Sequence, residues 1–189
     1  MNNKNKDKVL SFFLISIFCS FSFVAGISSG LESIGQNVKW PTEKTRTITS
    51  SFGYRDNPIS NGRPQFHNGL DIGAPPGEKL IALESGKVVL AQFYGGYGFT
   101  VIIEGNKTKN RYLYGHVDEN LLVKKDMEVN AGDVIAKVGK YNVSYSKNNP
   151  YKDSQGNPIN GFTTGPHLHF SVIQNGKFID PLTFLKSLN

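Results

Sequence analysis

The chain holds a single cysteine, Cys19, and it lies in an apolar run near the N-terminus. The rest of the sequence has no thiol and so no disulfide partner, which excludes a disulfide-stapled fold and leaves the core, or a metal, to hold it. Ser16, Ile17 and Phe18 precede that cysteine and are not the small residues a lipid-modified one wants. No repeat of solenoid or propeller period is present. No cluster of Lys and Arg with interleaved aromatics appears, so no nucleic-acid partner is expected. No helical H-E-x-x-H occurs, which excludes the helical zinc-protease architecture. Histidine is scarce as well, with four in the whole chain.

Length and composition bound what remains. The 189 residues suffice for one domain plus an extension. Residues 2–8 are polar and Lys-rich, and 9–27 run apolar without a charge. That order is an export signal, with Val24-Ala25-Gly26 as a cleavage site, or an uncleaved N-terminal membrane anchor. Either way the remainder is expected outside the cytoplasm, in the periplasm or cell envelope. The expected organisation is 1–27 signal peptide or anchor, 28–44 linker that begins to pack near Trp40, and 45–189 folded domain. Net charge is +6, and removing residues 1–26 takes away three Lys and one Asp and leaves +4. Such an excess suits an anionic surface and equally serves solubility.

Twenty glycines and nine prolines favour a β-rich chain over a helical one. Strands are expected over 88–92, 99–104, 111–116, 121–124, 134–138, 167–174 and 177–179, from their β-branched and aromatic residues. Residues 104–110 read as a hairpin loop and Asn175-Gly176 as a tight hairpin turn. No 3.6-residue stripe precedes 181–188, the one candidate helix. The fold class expected is therefore all-β, an antiparallel sandwich or barrel, with an N-terminal apolar signal or anchor helix. Residues 140–163, rich in Asn, Ser, Tyr and Lys, interrupt the pattern, and so long a connection beside a His motif is expected to border the site.

All four histidines fall in three motifs: His67 with Asp71 in HNGLD, His116 in YLYGH, His167 and His169 in GPHLHF. In a strand through His169, Leu168, Phe170 and Val172 share one face and the two histidines the other. Strand alternation puts Tyr112, Tyr114 and His116 on one face too. Each motif alone reads as ordinary surface or turn chemistry. Taken together they supply what catalytic zinc uses, three protein ligands and an open position, with two histidines over for proton transfer.

From Ile48 to Leu185 the chain resembles the M23 zinc endopeptidases, the lysostaphin-like cell-wall hydrolases. The motifs that carry the likeness are ITSSFGYR (48–55), FHNGLDIGAPPG (66–77), ESGKVV (84–89), GGYG (95–98), YLYGH (112–116), NAGDVIAKVG (130–139), TGPHLHF (164–170) and IDP (179–181). The resemblance implies a lysostaphin-like (duplicated hybrid motif) fold and one Zn2+ per chain. It implies His67, Asp71 and His169 as zinc ligands and His116 and His167 as catalytic histidines. Tyr94, in the loop 93–97, is expected to contact substrate. The implied activity is hydrolysis of peptide cross-links or bridges in peptidoglycan; some relatives on this fold are non-catalytic wall-binding proteins or activators. The departure from the family pattern is the insertion before Thr164, expected to alter substrate access more than chemistry.

Overall fold

The computed structural model describes residues 39–56, 64–145 and 147–188. The expected signal or anchor run at 9–27 lies outside them, and no helix among the described residues is long and apolar enough to cross a membrane. Five short strands come first: β1 (Ile48–Ser50), β2 (Gly53–Asp56), β3 (Pro64–His67), β4 (Leu70–Ile72) and β5 (Lys79–Ile81). Then follow β6 (Gly86–Phe93), β7 (Phe99–Gly105), β8 (Arg111–Gly115), β9 (Glu128–Val129), β10 (Val134–Lys137), β11 (Leu168–Gln174), β12 (Lys177–Ile179) and the helix α1 (Pro181–Ser187).

The main sheet runs β1-β4-β11-β8-β7-β6-β9, with β12 paired to β11, and every pairing is antiparallel. Its path ends at β1 and β9, so the sheet is open and no barrel closes among the described residues. Both ends are short strands, which leaves little edge for another chain to pair with. Two ribbons, β5–β10 and β2–β3, complete the β structure.

Alternation decides what each strand buries. Val101 and Ile103 of β7, Tyr112 and Tyr114 of β8, and Leu168, Phe170 and Val172 of β11 enter one core, with Leu80 and Ile135 from the β5–β10 ribbon. Apolar area removed from water at about 25 cal/mol per Å² makes these side chains the main stabilising contribution. Trp40 packs against the same core, and Ile81 N–H donates to the Pro41 carbonyl at 2.9 Å, so the chain is already anchored before β1.

Most expected elements appear within a residue or two of their expected ends. The hairpin at Asn175-Gly176 has both φ angles positive, 51° and 75°, as a two-residue turn of this kind requires. The helix begins at Pro181, and the Asp180 carboxylate accepts the Leu182 N–H at 3.0 Å, a side-chain N-cap. Two expectations fail. Residues 121–124 form no strand, because the edge of β6 is already taken: Val88 N–H donates to Met127 O and Asp126 N–H to Val88 O, both at 2.8 Å. His116 also leaves the face it was to share with Tyr114. β8 stops at Gly115, and His116 adopts a left-handed φ of 56°, which breaks the period-two alternation.

Candidate metal centre

Strand register assembles the site. His169 on β11 lies opposite Asp71 on β4 and opposite Gly115 on β8, so three adjacent strands set one row across the sheet. His67 ends β3 just before that row, His116 follows β8, and His167 precedes β11. All four histidines and Asp71 therefore meet on the side of the sheet away from Phe170 and Tyr114.

Three donor atoms converge within this group. His169 Nδ1 lies 2.9 Å from Asp71 Oδ1, and His67 Nε2 lies 3.1 Å from each of them. All three residues are buried, and their donor atoms meet the spacing of a metal-holding set. Four-coordinate zinc with bonds of about 2.0–2.1 Å would space its ligand atoms at roughly 3.3 Å. The triangle has that shape and is slightly contracted.

The other nitrogen of each ring explains why these atoms face inward. His67 Nδ1 lies 2.8 Å from the Ser51 carbonyl, which only accepts, so Nδ1 carries the proton and Nε2 presents a lone pair. His169 Nε2 lies 3.0 Å from Ser171 Oγ; with that hydroxyl accepting its proton, Nδ1 is freed. Two ring lone pairs and a carboxylate oxygen then point at one another, an arrangement that a bound cation stabilises. Partners behind each ring that fix its tautomer are the usual support of a metal-ligating histidine. The donor set present fits zinc.

Gly69 makes the close approach possible. A Cβ there would meet the His169 ring at 2.5 Å and the Phe170 carbonyl at 2.8 Å. Only the bare backbone of the HNGLD turn lets β4 lie this near the ring.

Burial raises the Asp71 pKa, but His169 and His67, which donate to it when protonated and no metal is bound, and the histidine charges outweigh it and hold the carboxyl well below the usual carboxylate range. Arg55 Nη2 stands 3.6 Å from its second oxygen. Burial drives His169 down, against the opposing pull of Asp71. His116 is pushed well below the ordinary histidine value by burial and by the neighbouring His167 and His169.

His116 and His167 stand beside the trio, their ring centroids 4.7 Å apart. Each hands its Nδ1 proton to a backbone carbonyl, His116 to Asn160 at 2.7 Å and His167 to Gly165 at 2.9 Å. Nε2 of both is thereby left as an acceptor. A cavity of about 250 Å³ opens on the group, walled by Arg55, Asn68, Tyr97 and Phe162 among others. A second, of about 490 Å³, adjoins it and shares Phe162, Thr163 and Thr164; its remaining wall is the 140–163 segment. That segment does border the site.

The expected Tyr94 is half-exposed, stacks on Tyr97 with centroids 5.9 Å apart, and does not line the first cavity. Tyr97 does. Its hydroxyl accepts from Asn68 Nδ2, which leaves its own proton free, and burial raises its pKa. Sequence reasoning singled out neither Tyr97, Arg55 nor Asn160. Tyr97 and Arg55 lie inside quoted motifs, GGYG and ITSSFGYR, so position in a motif was the available signal. Asn160 gave none.

An antiparallel β fold thus mounts a His/Asp/His donor set, spaced to hold a metal ion, next to two further histidines. The family model of peptidase family M23 matches residues 65–181, and the chain belongs to that family. It is 33% identical over 147 residues to the peptidoglycan DD-endopeptidase ShyB of Vibrio cholerae, covering 76% of this chain and 29% of that one. It is 31% identical over 150 residues to the murein hydrolase activator NlpD of Escherichia coli, covering 78% and 31%. The chain thus spans under a third of the length of these relatives. Among solved structures it resembles a zinc-containing peptidase from Vibrio cholerae (TM-score 0.59, 32% identity, 75% of this chain and 38% of that one). It also resembles the catalytic domain of lysostaphin from Staphylococcus simulans (TM-score 0.57, 27% identity, 74% and 92%).

Proposed function

We propose that this chain is a zinc-dependent endopeptidase that hydrolyses peptide cross-links or bridges of bacterial peptidoglycan. The observation that carries the reading is the donor triangle of His67, Asp71 and His169 with two accepting imidazoles beside it. In this reading His67 Nε2, Asp71 Oδ1 and His169 Nδ1 hold one zinc ion. Bound zinc supplies Lewis-acid polarisation of the scissile carbonyl and acidifies water.

The side chains do the rest. His116 stays neutral near pH 7 because burial disfavours its charged form, so its Nε2 is ready to take the proton of the attacking water. His167 stands nearer the mouth, its Nε2 3.6 Å from Asp71 Oδ1, placed to pass a proton to the leaving amine. The free Tyr97 proton is available to the developing oxyanion. Residues 45–189 form the catalytic domain, acting outside the cytoplasm where its substrate is, with 9–27 as export signal or anchor.

Fragments released from purified peptidoglycan by the zinc-loaded protein test this, with mass spectrometry identifying the new peptide ends. Ends that vanish with a chelator establish the enzyme and name its bond. The likeness to NlpD favours a second reading, a non-catalytic activator of another wall hydrolase; a zinc-loaded protein that opens no bond in walls of several chemotypes would support it.

A further inference from the structure

We infer that Asn160 is the positioning residue for His116, and that the 140–163 insertion divides into a root the chemistry needs and a tip it does not. Four hydrogen bonds meet at Asn160 and tie it to three segments, those of Phe99, His116–Val117 and Tyr141. Its carbonyl accepts the His116 Nδ1 proton at 2.7 Å. Its side-chain Oδ1 accepts the Phe99 N–H at 2.8 Å, and its Nδ2 donates to the Val117 carbonyl at 2.9 Å. Its own N–H donates to the Tyr141 carbonyl at 2.9 Å. The residue is 1% exposed, so none of these groups has water to fall back on. The packing admits no slack: a Cβ on Gly98 would stand 2.3 Å from Asn160 Oδ1.

These bonds are what a ring in an unusual place requires. His116 sits at φ 56°, a conformation that persists only when its surroundings over-determine it. Backbone bonds hold its peptide, His116 N–H to Tyr97 O at 2.7 Å and Gly139 N–H to His116 O at 2.9 Å. Among the described residues the hydrogen-bond anchor of the ring is the Asn160 carbonyl. That carbonyl fixes the tautomer with the proton on Nδ1, so that Nε2 faces the cavity as an acceptor. The Asn160 side chain in turn fixes the carbonyl by bridging β7 to Val117. Aspartate in this place accepts from Phe99 but cannot donate to Val117, and alanine does neither.

The tip is built separately. Lys152 bridges Pro158, and Asp153 N–H donates to the Asn157 carbonyl at 2.9 Å, so the two ends of residues 153–157 already meet. Asn149 and Tyr151 belong with the root, since Asn149 Nδ2 donates to the Ile159 carbonyl at 2.9 Å and Ile159 N–H to the Tyr151 carbonyl at 3.1 Å. A two-residue Asn-Gly turn can replace 153–157 and leave the root intact.

The test compares the full-length protein with Asn160→Ala, Asn160→Asp and the 153–157 replacement. Each is read by zinc content, by 15N NMR of the His116 imidazole, and by kcat and KM on a soluble cross-linked muropeptide. In Asn160→Ala the Nδ1–H tautomer is expected to lose dominance, with kcat down about tenfold to hundredfold and zinc still one per chain. Asn160→Asp falls between, and is the variant to read if the alanine protein does not fold. The shortened loop keeps the wild-type tautomer, and its kcat and KM stay within about threefold, because no residue of 153–157 lines either cavity. An unchanged tautomer in both Asn160 variants overturns the inference, and a lost tautomer in the shortened loop overturns the division into root and tip. The kcat arm rests on the endopeptidase reading; the NMR arm needs no turnover, so failure of one is distinguishable from failure of the other.

Discussion

Asp71 and His169 face each other across paired strands, whereas His116 and His167 stand just beyond strand ends and are held by loop carbonyls. The first pair inherits its position from the ladder of β4, β11 and β8, where shifting one residue would turn every side chain to the opposite face. The second pair depends on what the loops do. The proposed site thus has a metal-donor half set by the sheet ladder and a proton-handling half set by loops, which local changes can retune. The 140–163 segment enters on the loop side and leaves the register row intact.

The two halves should break differently. His169→Ala is expected to abolish both zinc binding and cleavage. His116→Ala should keep zinc and lower turnover by about 10²–10⁴-fold, the usual weight of a general base. Zinc content and initial rates on the same preparations check both. A smaller break on the donor side is Ser171→Ala, which removes the partner of His169 Nε2. Support of this kind contributes about tenfold to hundredfold in metal affinity, measured by competition with a chromogenic chelator. Gly69→Ala should do more damage than Ser171→Ala, since its Cβ displaces the His169 ring itself.

Far from the site, Glu84 sharpens the contrast between buried polar structure and surface charge. Its carboxylate accepts from Lys107 N–H, Thr108 N–H, Thr108 Oγ1 and Tyr112 Oη at 2.6–2.9 Å and so closes the β7–β8 loop. Burial alone would raise its pKa, but the hydrogen bonds from Thr108, Tyr112 and Lys107 prevail and lower it. A depressed folded pKa contributes stability that is present above the unfolded value and is lost as pH falls through the folded one. Glu84→Gln should therefore cost about 1 kcal/mol at pH 7, reduced by partial solvent access, and less under acid, seen in urea melts at the two pH values. Tyr112, whose hydroxyl leans on that carboxylate, is pushed up to about 12, by burial first and then by Glu84. The smallest effect is reserved for Lys87 and Asp126, an exposed ion pair at 2.8 Å. Removing either should leave the melting temperature unchanged within error.

Much of this was legible in the sequence because period-two patterns and motif order are local. Leu168, Phe170 and Val172 alternate with His169, and the core face of β11 followed from that alone. Turn chemistry located Asn175-Gly176 and the start of α1. What was not legible depended on bonds between distant segments. Residues 121–124 have strand composition, yet Met127 and Asp126 occupy the β6 edge they would need. His116 has the spacing of a strand residue, and its positive φ is imposed by Tyr97, Gly139 and the surrounding loops. Tyr94 and Tyr97 are chemically alike in the sequence; only the turn at Gly95–Tyr97 decides that the second enters the cavity. Asn160, in a segment that reads as featureless polar loop, was invisible for the same reason.

Zinc content and wall cleavage measured together on wild type, His116→Ala and His169→Ala put the central claim, a metal-dependent peptidase site on His67, Asp71 and His169, most directly to the test. One zinc per chain in wild type and His116→Ala, none in His169→Ala, and cleavage in wild type alone is the expected pattern. A metal-free His169→Ala protein that cuts peptidoglycan at the wild-type rate would contradict it.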